Sequence, residues 1–197
     1  TASVMAGANV AEASATKPQK WDKTVNVVII GSGGAGLATA VSAAENGVKD
    51  ILVLEKLAFL GGNTAIATGA FNTADPKQKE QGIEDSPELH AQQTLKGGDF
   101  RANPELVNEL THNSYDTLTW LESKGVKFQP KILQVYGALW PRSHATAASK
   151  GSDYIRVLSE EAKKLGVTIQ TQAKVVDIIR ENQLSGRVLG VEYLNKD

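Results

Sequence analysis

The chain has 197 residues, 41% of them hydrophobic, and a formal net charge of −1. A chain of this length can bury roughly 70% of its unfolded surface in one sizeable domain. Its near-neutral charge offers no hold on nucleic acid or an anionic membrane, and no apolar run approaches the roughly 20 residues that span a bilayer. The absence of cysteine removes disulfides, thiolate metal sites, cysteine catalysis and C-x-x-C-H haem attachment from these residues.

Residues 1–23 read as an export-signal remnant or flexible leader and a linker. Thr1–Ala15 is rich in Ala, Gly and Ser, and Ala13-Ser14-Ala15 has the small-x-small form of a signal-peptidase site. The segment reads either as the tail of an export signal, which would place the protein in the periplasm, or as a flexible extension. Thr16–Lys23 is a polar linker.

The stretch that organises the rest is Val25–Gly36. A β-branched run from Val25 to Ile30 predicts a buried parallel strand. Gly31, Gly33 and Gly36 then give G-x-G-x-x-G, with Ser32, Gly34 and Ala35 between them. Leu37, Ala38, Val41 and Ala44 follow at helical spacing, Gly47 stops that helix, and Ile51–Leu54 predicts a second strand leading into Glu55. This βαβ unit is the context a dinucleotide-binding glycine motif requires. Gly31 permits the tight turn, Gly33 lets a pyrophosphate approach the backbone, and Gly36 lets helix and strand pack closely. The helix start offers free N–H groups and a partial positive charge to the phosphates. A carboxylate at Glu55 accepts hydrogen bonds from the ribose hydroxyls of an adenosine and would repel a 2′-phosphate, which argues against NADP. After Glu55-Lys56 comes Leu57–Leu60, then Gly61-Gly62-Asn63-Thr64 and Ala65–Ala70. Such small residues can lie flat beside a wide planar ring, which favours FAD over NAD.

Further along, Asp75–Gln81 is polar and turn-like. Ser86-Pro87-Glu88 and Asn103-Pro104-Glu105 each start a helix, with a capping side chain, a proline at the first position and an acid at the positive end. Leu106, Val107, Leu110, Ser114, Thr117, Leu118 and Leu121 predict the buried face of the second of these, and Val126–Phe128 a short strand after it. Gln129–Lys150 reads as irregular. Gly151-Ser152-Asp153 opens a helix with Ile155, Leu158, Ala162 and Leu165 on its inner face. Val167–Thr171 and Val175–Ile179 read as strands, and Leu184-Ser185-Gly186 turns into a last strand, Val188–Tyr193. Gly47, Gly125 and Gly166 each end a helix before extended chain, a position that favours φ > 0.

On the glycine motif, Glu55-Lys56, Gly61-Gly62-Asn63, Asp85-Ser86-Pro87-Glu88-Leu89, Lys96-Gly97-Gly98 and Gly137-Ala138 followed by Arg142-x-His144, the chain resembles the soluble, flavocytochrome c-type fumarate reductases. That family includes urocanate and methacrylate reductases. The resemblance implies an α/β fold: a Rossmann-like, GR2-type FAD-binding domain with a doubly wound parallel sheet and an added antiparallel hairpin. Residues 24–197 would be its N-terminal part, with the capping domain and the remainder absent, so that 1–197 alone would be inactive and hold FAD weakly. It implies noncovalent FAD, since Gly61–Ala70 lacks the His to which membrane-bound relatives attach theirs. It implies two-electron reduction of the C=C bond of an α,β-unsaturated carboxylate by hydride from flavin N5, with electrons from a separate c-type cytochrome. Carried over by residue, Gly31–Gly36 meet the pyrophosphate and Glu55 the adenosine ribose, with Lys56 beside it. Gly62, Asn63, Thr64, Gly69 and Ala70 line the flavin, and Val175 offers its backbone to the adenine. The family continues Arg-x-His with Arg-Pro-Thr-Gly-Gly, whereas this chain reads His144-Ala145-Thr146-Ala147-Ala148-Ser149. The resemblance therefore does not single out fumarate, and Tyr136 and Trp140 are candidates to shape a pocket for a different acid. Two other readings stay open. One is a flavin dehydrogenase or oxidase of the ketosteroid dehydrogenase or aspartate oxidase kind; the other is a noncatalytic dinucleotide-binding module.

Among individual side chains, His90 and His112 have no second ligand at metal spacing. Arg142 and His144 line an active site or form a surface turn with an Arg–carboxylate pair. No catalytic residue is assigned, because no carboxylate pair, Ser/His/Asp set or metal cluster emerges, and chemistry here would be the cofactor's.

Overall fold

A computed structural model describes residues 20–182 and 185–195. The small-x-small pattern at Ala13-Ser14-Ala15, the first half of the expected linker and Leu184 of the last turn lie outside the described residues.

The centre is a parallel sheet of three strands in the order β1 (Val27–Ile30), β2 (Ile51–Leu54) and β5 (Thr168–Gln170). The middle strand, β2, reads Ile-Leu-Val-Leu and is buried at every position, because it is covered on both faces. Helices α1 (Gly34–Glu45) and α5 (Ser152–Lys164) cover one face: Leu37, Ala40 and Val41 meet Ile155, Leu158 and Ala162 over Ile51 and Val53. On the other face Leu52 and Leu54 pack with Val28, Val175, Val191 and Tyr193, the last three from the antiparallel hairpin of β6 (Lys174–Asn182) and β7 (Ser185–Leu194). A parallel sheet with an added antiparallel hairpin is thus present, as expected from the resemblance.

Between β2 and β5 the chain makes α2 (Gly62–Ile66), β3 (Ala70–Asn72), a 3-10 helix (Pro76–Gln81), α3 (Pro87–Gly97), α4 (Pro104–Ser123) and β4 (Ser143–Ala145). The expected caps are made: the Ser86 side chain accepts from Leu89 N–H at 3.1 Å and Asn103 from Glu105 N–H at 2.8 Å. Gly47, Gly125 and Gly166 all have positive φ.

Four local expectations are corrected. The first strand begins at Val27, and Ile30 at its end is 52% exposed. Val126–Phe128 forms no strand, only a bridge from Phe128 to Thr146. Residues 129–150 are not irregular throughout, since β4 pairs antiparallel with β3, Ala70 opposite Ala145 and Asn72 opposite Ser143. On α4 the buried stripe is Val107, Thr111, Ser114, Leu118 and Leu121, while Leu106 and Leu110 stand exposed. Ser114 joins the stripe because its hydroxyl has a buried partner, Thr73 Oγ1 at 2.8 Å.

Among the described residues no helix is long and apolar enough to cross a membrane.

Candidate FAD site

The sheet brings the C-terminal ends of β1 and β2 side by side. Gly31 follows β1 and Glu55 follows β2; Gly31 N–H donates to Leu54 O at 2.8 Å. Gly31 has φ +94°, in the region that favours glycine, and this turns the chain into α1. A Cβ on Gly36 would sit 2.0 Å from Gly31 O. The first turn of the helix therefore rests on the bend itself, the close packing the spacing predicted.

Gly33 is different. Its φ is −69°, which any residue can adopt, and a Cβ there would meet nothing closer than Gly61 O at 3.8 Å. Neither strain nor internal crowding within the chain requires glycine at this position. A phosphate approaching the backbone at this position would meet no side chain.

Helix α1 supports the same reading. Helices α3 and α4 spend their caps on their own first-turn N–H groups, whereas α1, like α2 and α5, has no capping side chain. Its first-turn donors point out of the helix, and one of them, Gly34 N–H, is held by Thr64 Oγ1 at 3.1 Å.

One buried unit ties the cofactor segments together. Ser32 and Glu55 are 0% and 5% exposed. Glu55 Oε2 accepts from the Ser32 hydroxyl at 2.7 Å and from Ser32 N–H at 3.0 Å, and Oε1 accepts from Leu57 N–H at 2.8 Å. Ser32 Oγ in turn accepts from Gly61 N–H at 3.3 Å. Burial pushes the Glu55 carboxyl up. The hydrogen bonds from Leu57 and Ser32, with the charge of Lys56, outweigh that and hold it below its ordinary value. It is therefore ionised at neutral pH. A carboxylate offers about four lone-pair sites, so three bonds leave room for a ribose hydroxyl. These residues fit the adenosine and pyrophosphate of a dinucleotide.

The flavin-loop residues are only partly gathered. Gly62 and Asn63 are exposed, Thr64 half-buried, and Ala70 is exposed at the head of β3. Gly69 is buried, and its carbonyl accepts from Thr146 N–H at 3.2 Å and Tyr154 hydroxyl at 2.9 Å. Burial, then the charge of Asp153, pushes the Tyr154 phenol far up, so it stays a donor. The N-terminus of α5 abuts the loop, with Gly151 N–H donating to Ala67 O at 2.8 Å. Val175 lies in β6 opposite Tyr193, just past Ala173, whose N–H donates to Glu55 O at 2.9 Å. Lys56 is exposed.

Arg142 and His144 do not form a surface turn; they are 6% and 4% exposed. The Arg–carboxylate pair exists but is internal. Arg142 Nε and Nη2 donate to Asp85 Oδ2 and Oδ1 at 2.9 and 2.7 Å. Gln78 Nε2 donates to Asp85 at 3.0 Å, and His144 Nε2 lies 3.1 Å from Asp75 Oδ2. Asp75, Gln78 and Asp85 were missed as a unit. Asp85 read as part of a helix start, and nothing in the order of residues pairs it with an arginine so far along the chain. Tyr136 stands fully exposed, whereas Trp140 lines a cavity with Arg142 that Tyr136 does not line. His112 is an exposed partner of Glu88 at 3.3 Å. No group of three potential metal ligands occurs among the described residues. A cavity of about 600 Å³ between residues 20–25, the sheet and β7 is lined by neither Gly31–Gly36 nor Glu55.

Residues 26–197 match the FAD binding domain family. The chain is 36% identical over 174 residues to the acrylate reductase flavoprotein subunit of Shewanella woodyi, covering 88% of this chain and 34% of that protein. It is 34% identical over 171 residues to the fumarate reductase (cytochrome) of Shewanella frigidimarina, with 85% and 29% covered. It is 35% identical over 181 residues to the urocanate reductase of Eggerthella lenta, with 90% and 29% covered. Among solved structures, a 3-ketosteroid-Δ4-(5α)-dehydrogenase from Rhodococcus jostii superposes with TM-score 0.80 at 28% identity, covering 93% of this chain and 44% of that one. An open flavocytochrome c3 fumarate reductase superposes with TM-score 0.78 at 28% identity, covering 88% and 32%. The chain spans about a third of the length of these curated relatives. It belongs to the FAD-binding domain family.

Proposed function

We propose that this FAD-binding chain acts, within a longer flavoprotein, in the reduction of the C=C bond of an α,β-unsaturated carboxylate. The single observation that carries the cofactor half is Gly33, a glycine that neither φ nor internal packing requires, at a helix start that has no side-chain cap. The substrate half is supported by the relatives named acrylate, fumarate and urocanate reductase.

When bound, FAD supplies a hydride from its N5 to the substrate's β-carbon. The residues of this chain bind and orient it. The N–H groups of Gly33, Ala35 and Gly36 and the α1 dipole hold the pyrophosphate, with Gly34 N–H kept by Thr64 Oγ1; the dipole alone contributes about 0.3–1 kcal/mol, so aimed N–H bonds supply most of the hold. Glu55 accepts from the adenosine ribose hydroxyls, with Lys56 beside it, and Val175 offers its backbone to the adenine. Gly62, Asn63, Thr64, Gly69 and Ala70 line the flavin. Ser32 keeps Glu55 and Gly61 in register, and Tyr154 and Thr146 fix the Gly69 carbonyl. Attachment is noncovalent, because Gly61–Ala70 contains no histidine. Electrons come from a c-type cytochrome, either a separate protein or a part of the longer flavoprotein, a reading supported by the relative named fumarate reductase (cytochrome). A periplasmic location is supported by Ala13-Ser14-Ala15.

A second reading, a flavin dehydrogenase acting in the oxidative direction, draws on the likeness to the ketosteroid dehydrogenase. Steady-state turnover of the full-length protein separates the two. Rapid oxidation of reduced viologen by acrylate, fumarate or urocanate supports the reductase; turnover of a ketosteroid with a dye acceptor and none with these acids replaces it. Bound flavin without turnover in either assay leaves a noncatalytic module.

A further inference from the structure

A second cavity lies between α3 and residues 137–142, and the function proposed above makes no use of it. It holds about 220 Å³ and is lined by Asn72, His90, Gln93, Trp140 and Arg142, with the 137–139 backbone at one side. His90 is 6% exposed. Two buried side-chain atoms lack a hydrogen-bond partner among the described residues, His90 Nδ1 and Gln93 Oε1, and both belong to residues of this lining. Folded chains rarely leave such atoms unmade, because desolvation is then uncompensated. Three positions apart on α3, the two side chains share one helix face.

The chemistry of the wall is specific. Burial, then the positive charge of Arg142, pushes the His90 imidazole below its ordinary range, against the pull of Asp85. The ring is therefore uncharged at neutral pH, and its Nδ1 either gives or takes one hydrogen bond. The Arg142 charge is met by Asp85 through two bonds. Gln93 Oε1 only accepts. The Trp140 indole N–H is already given to Glu84 O at 2.9 Å, which leaves its ring as an apolar wall. The Asn72 carbonyl is taken by the Ser143 hydroxyl. An anion would face the Gln93 lone pairs, and a cation would lie beside Arg142.

We propose that this cavity binds a small, neutral, planar group carrying an N–H donor beside a lone-pair acceptor, as in a carboxamide or an unprotonated imidazole ring. The donor satisfies Gln93, the acceptor or a second N–H satisfies His90, and the plane lies along Trp140. The site stands independently of the redox reading, because none of the residues that gather the dinucleotide lines it.

The test is titration of the full-length, FAD-loaded protein, labelled at histidine with ¹⁵N, with acetamide, with imidazole at about pH 8 where it is uncharged, and with acetate. Saturable shifts of one histidine resonance are expected with acetamide and imidazole and not with acetate. His90→Phe removes that resonance and the binding. Gln93→Leu weakens binding roughly tenfold, the loss of one buried hydrogen bond. If His90→Phe does not fold, Gln93→Leu carries the test alone. No saturable shift, an affinity unchanged in Gln93→Leu, or acetate binding as tightly as acetamide overturns the proposal.

Discussion

Glu55 and Asp85 are both carboxylates held inside the chain, yet they are answered by different partners. Asp85, in the cluster beneath β3 and β4, meets a guanidinium in a two-bond fork, with Gln78 and Ser86 N–H on its remaining sites. Glu55, in the nucleotide corner, meets a hydroxyl and two backbone N–H groups, with only the exposed Lys56 as a nearby cation. An ion pair of the first kind is saturated and stays in place only if both partners remain. A carboxylate of the second kind keeps its charge and part of its accepting capacity. The neutralised acid ties the start of α3 to Arg142, just before β4, and to Gln78; in the function proposed above, the other is the one left able to recognise a ligand.

The contrast is broken most strongly at Arg142. Arg142→Met leaves Asp85 buried without its cation, a loss of about 3–5 kcal/mol. Urea unfolding is expected to show it as a lower midpoint with an unchanged slope; a loss below about 1 kcal/mol would mean the pair is not structural. Gly36→Ala comes next. It drives a methyl onto Gly31 O, where overpacking costs about 1–3 kcal/mol, and it separates helix from bend, so FAD retention after gel filtration falls with stability. Ser32→Ala removes the hydroxyl shared by Glu55 and Gly61, at a cost of about 1–3 kcal/mol for the buried atoms left unpaired. A double-mutant cycle with Glu55→Gln is expected to show coupling between the two residues, and strict additivity would sever the network.

The smallest effect is in acid. The folded carboxyl of Glu55 titrates below its ordinary value of 4.5. Its contribution is therefore full above the unfolded value and lost as pH falls through the lower, folded one. Stability curves of wild type and Glu55→Gln are expected to draw together as pH falls below 4.5; a gap that does not narrow there assigns the effect to packing rather than charge.

The two regions also differ in how far the order of residues discloses them. The corner is short-range. Val27–Gly36 and Ile51–Glu55 carry strand, bend, helix and acid as contiguous signals, and the structure places each where the pattern requires. The cluster joins Asp75, Gln78 and Asp85 to Arg142 and His144 across an intervening helix pair. Each residue looked locally explained: Asp85 as part of a helix start, Arg142 as an active-site lining or a surface turn. β4 escaped detection for a related reason. Ser-His-Ala has no β-branched run, and it becomes a strand only because β3 lies beside it. On α4 the apolar spacing marked Leu106 and Leu110 as buried, yet the packed stripe runs through Thr111 and Ser114, whose hydroxyl meets Thr73.

The most direct measurement is equilibrium titration of the deflavinated full-length protein, wild type and Glu55→Gln, with FAD and with FMN. FMN carries the flavin but lacks the adenosine and its ribose. Wild type is expected to prefer FAD, and Glu55→Gln to lose about tenfold or more in FAD affinity, the loss of a charged hydrogen-bond acceptor, with FMN affinity unchanged. Equal FAD affinity in the two proteins would contradict the assignment of Glu55 and the glycine bend to the nucleotide.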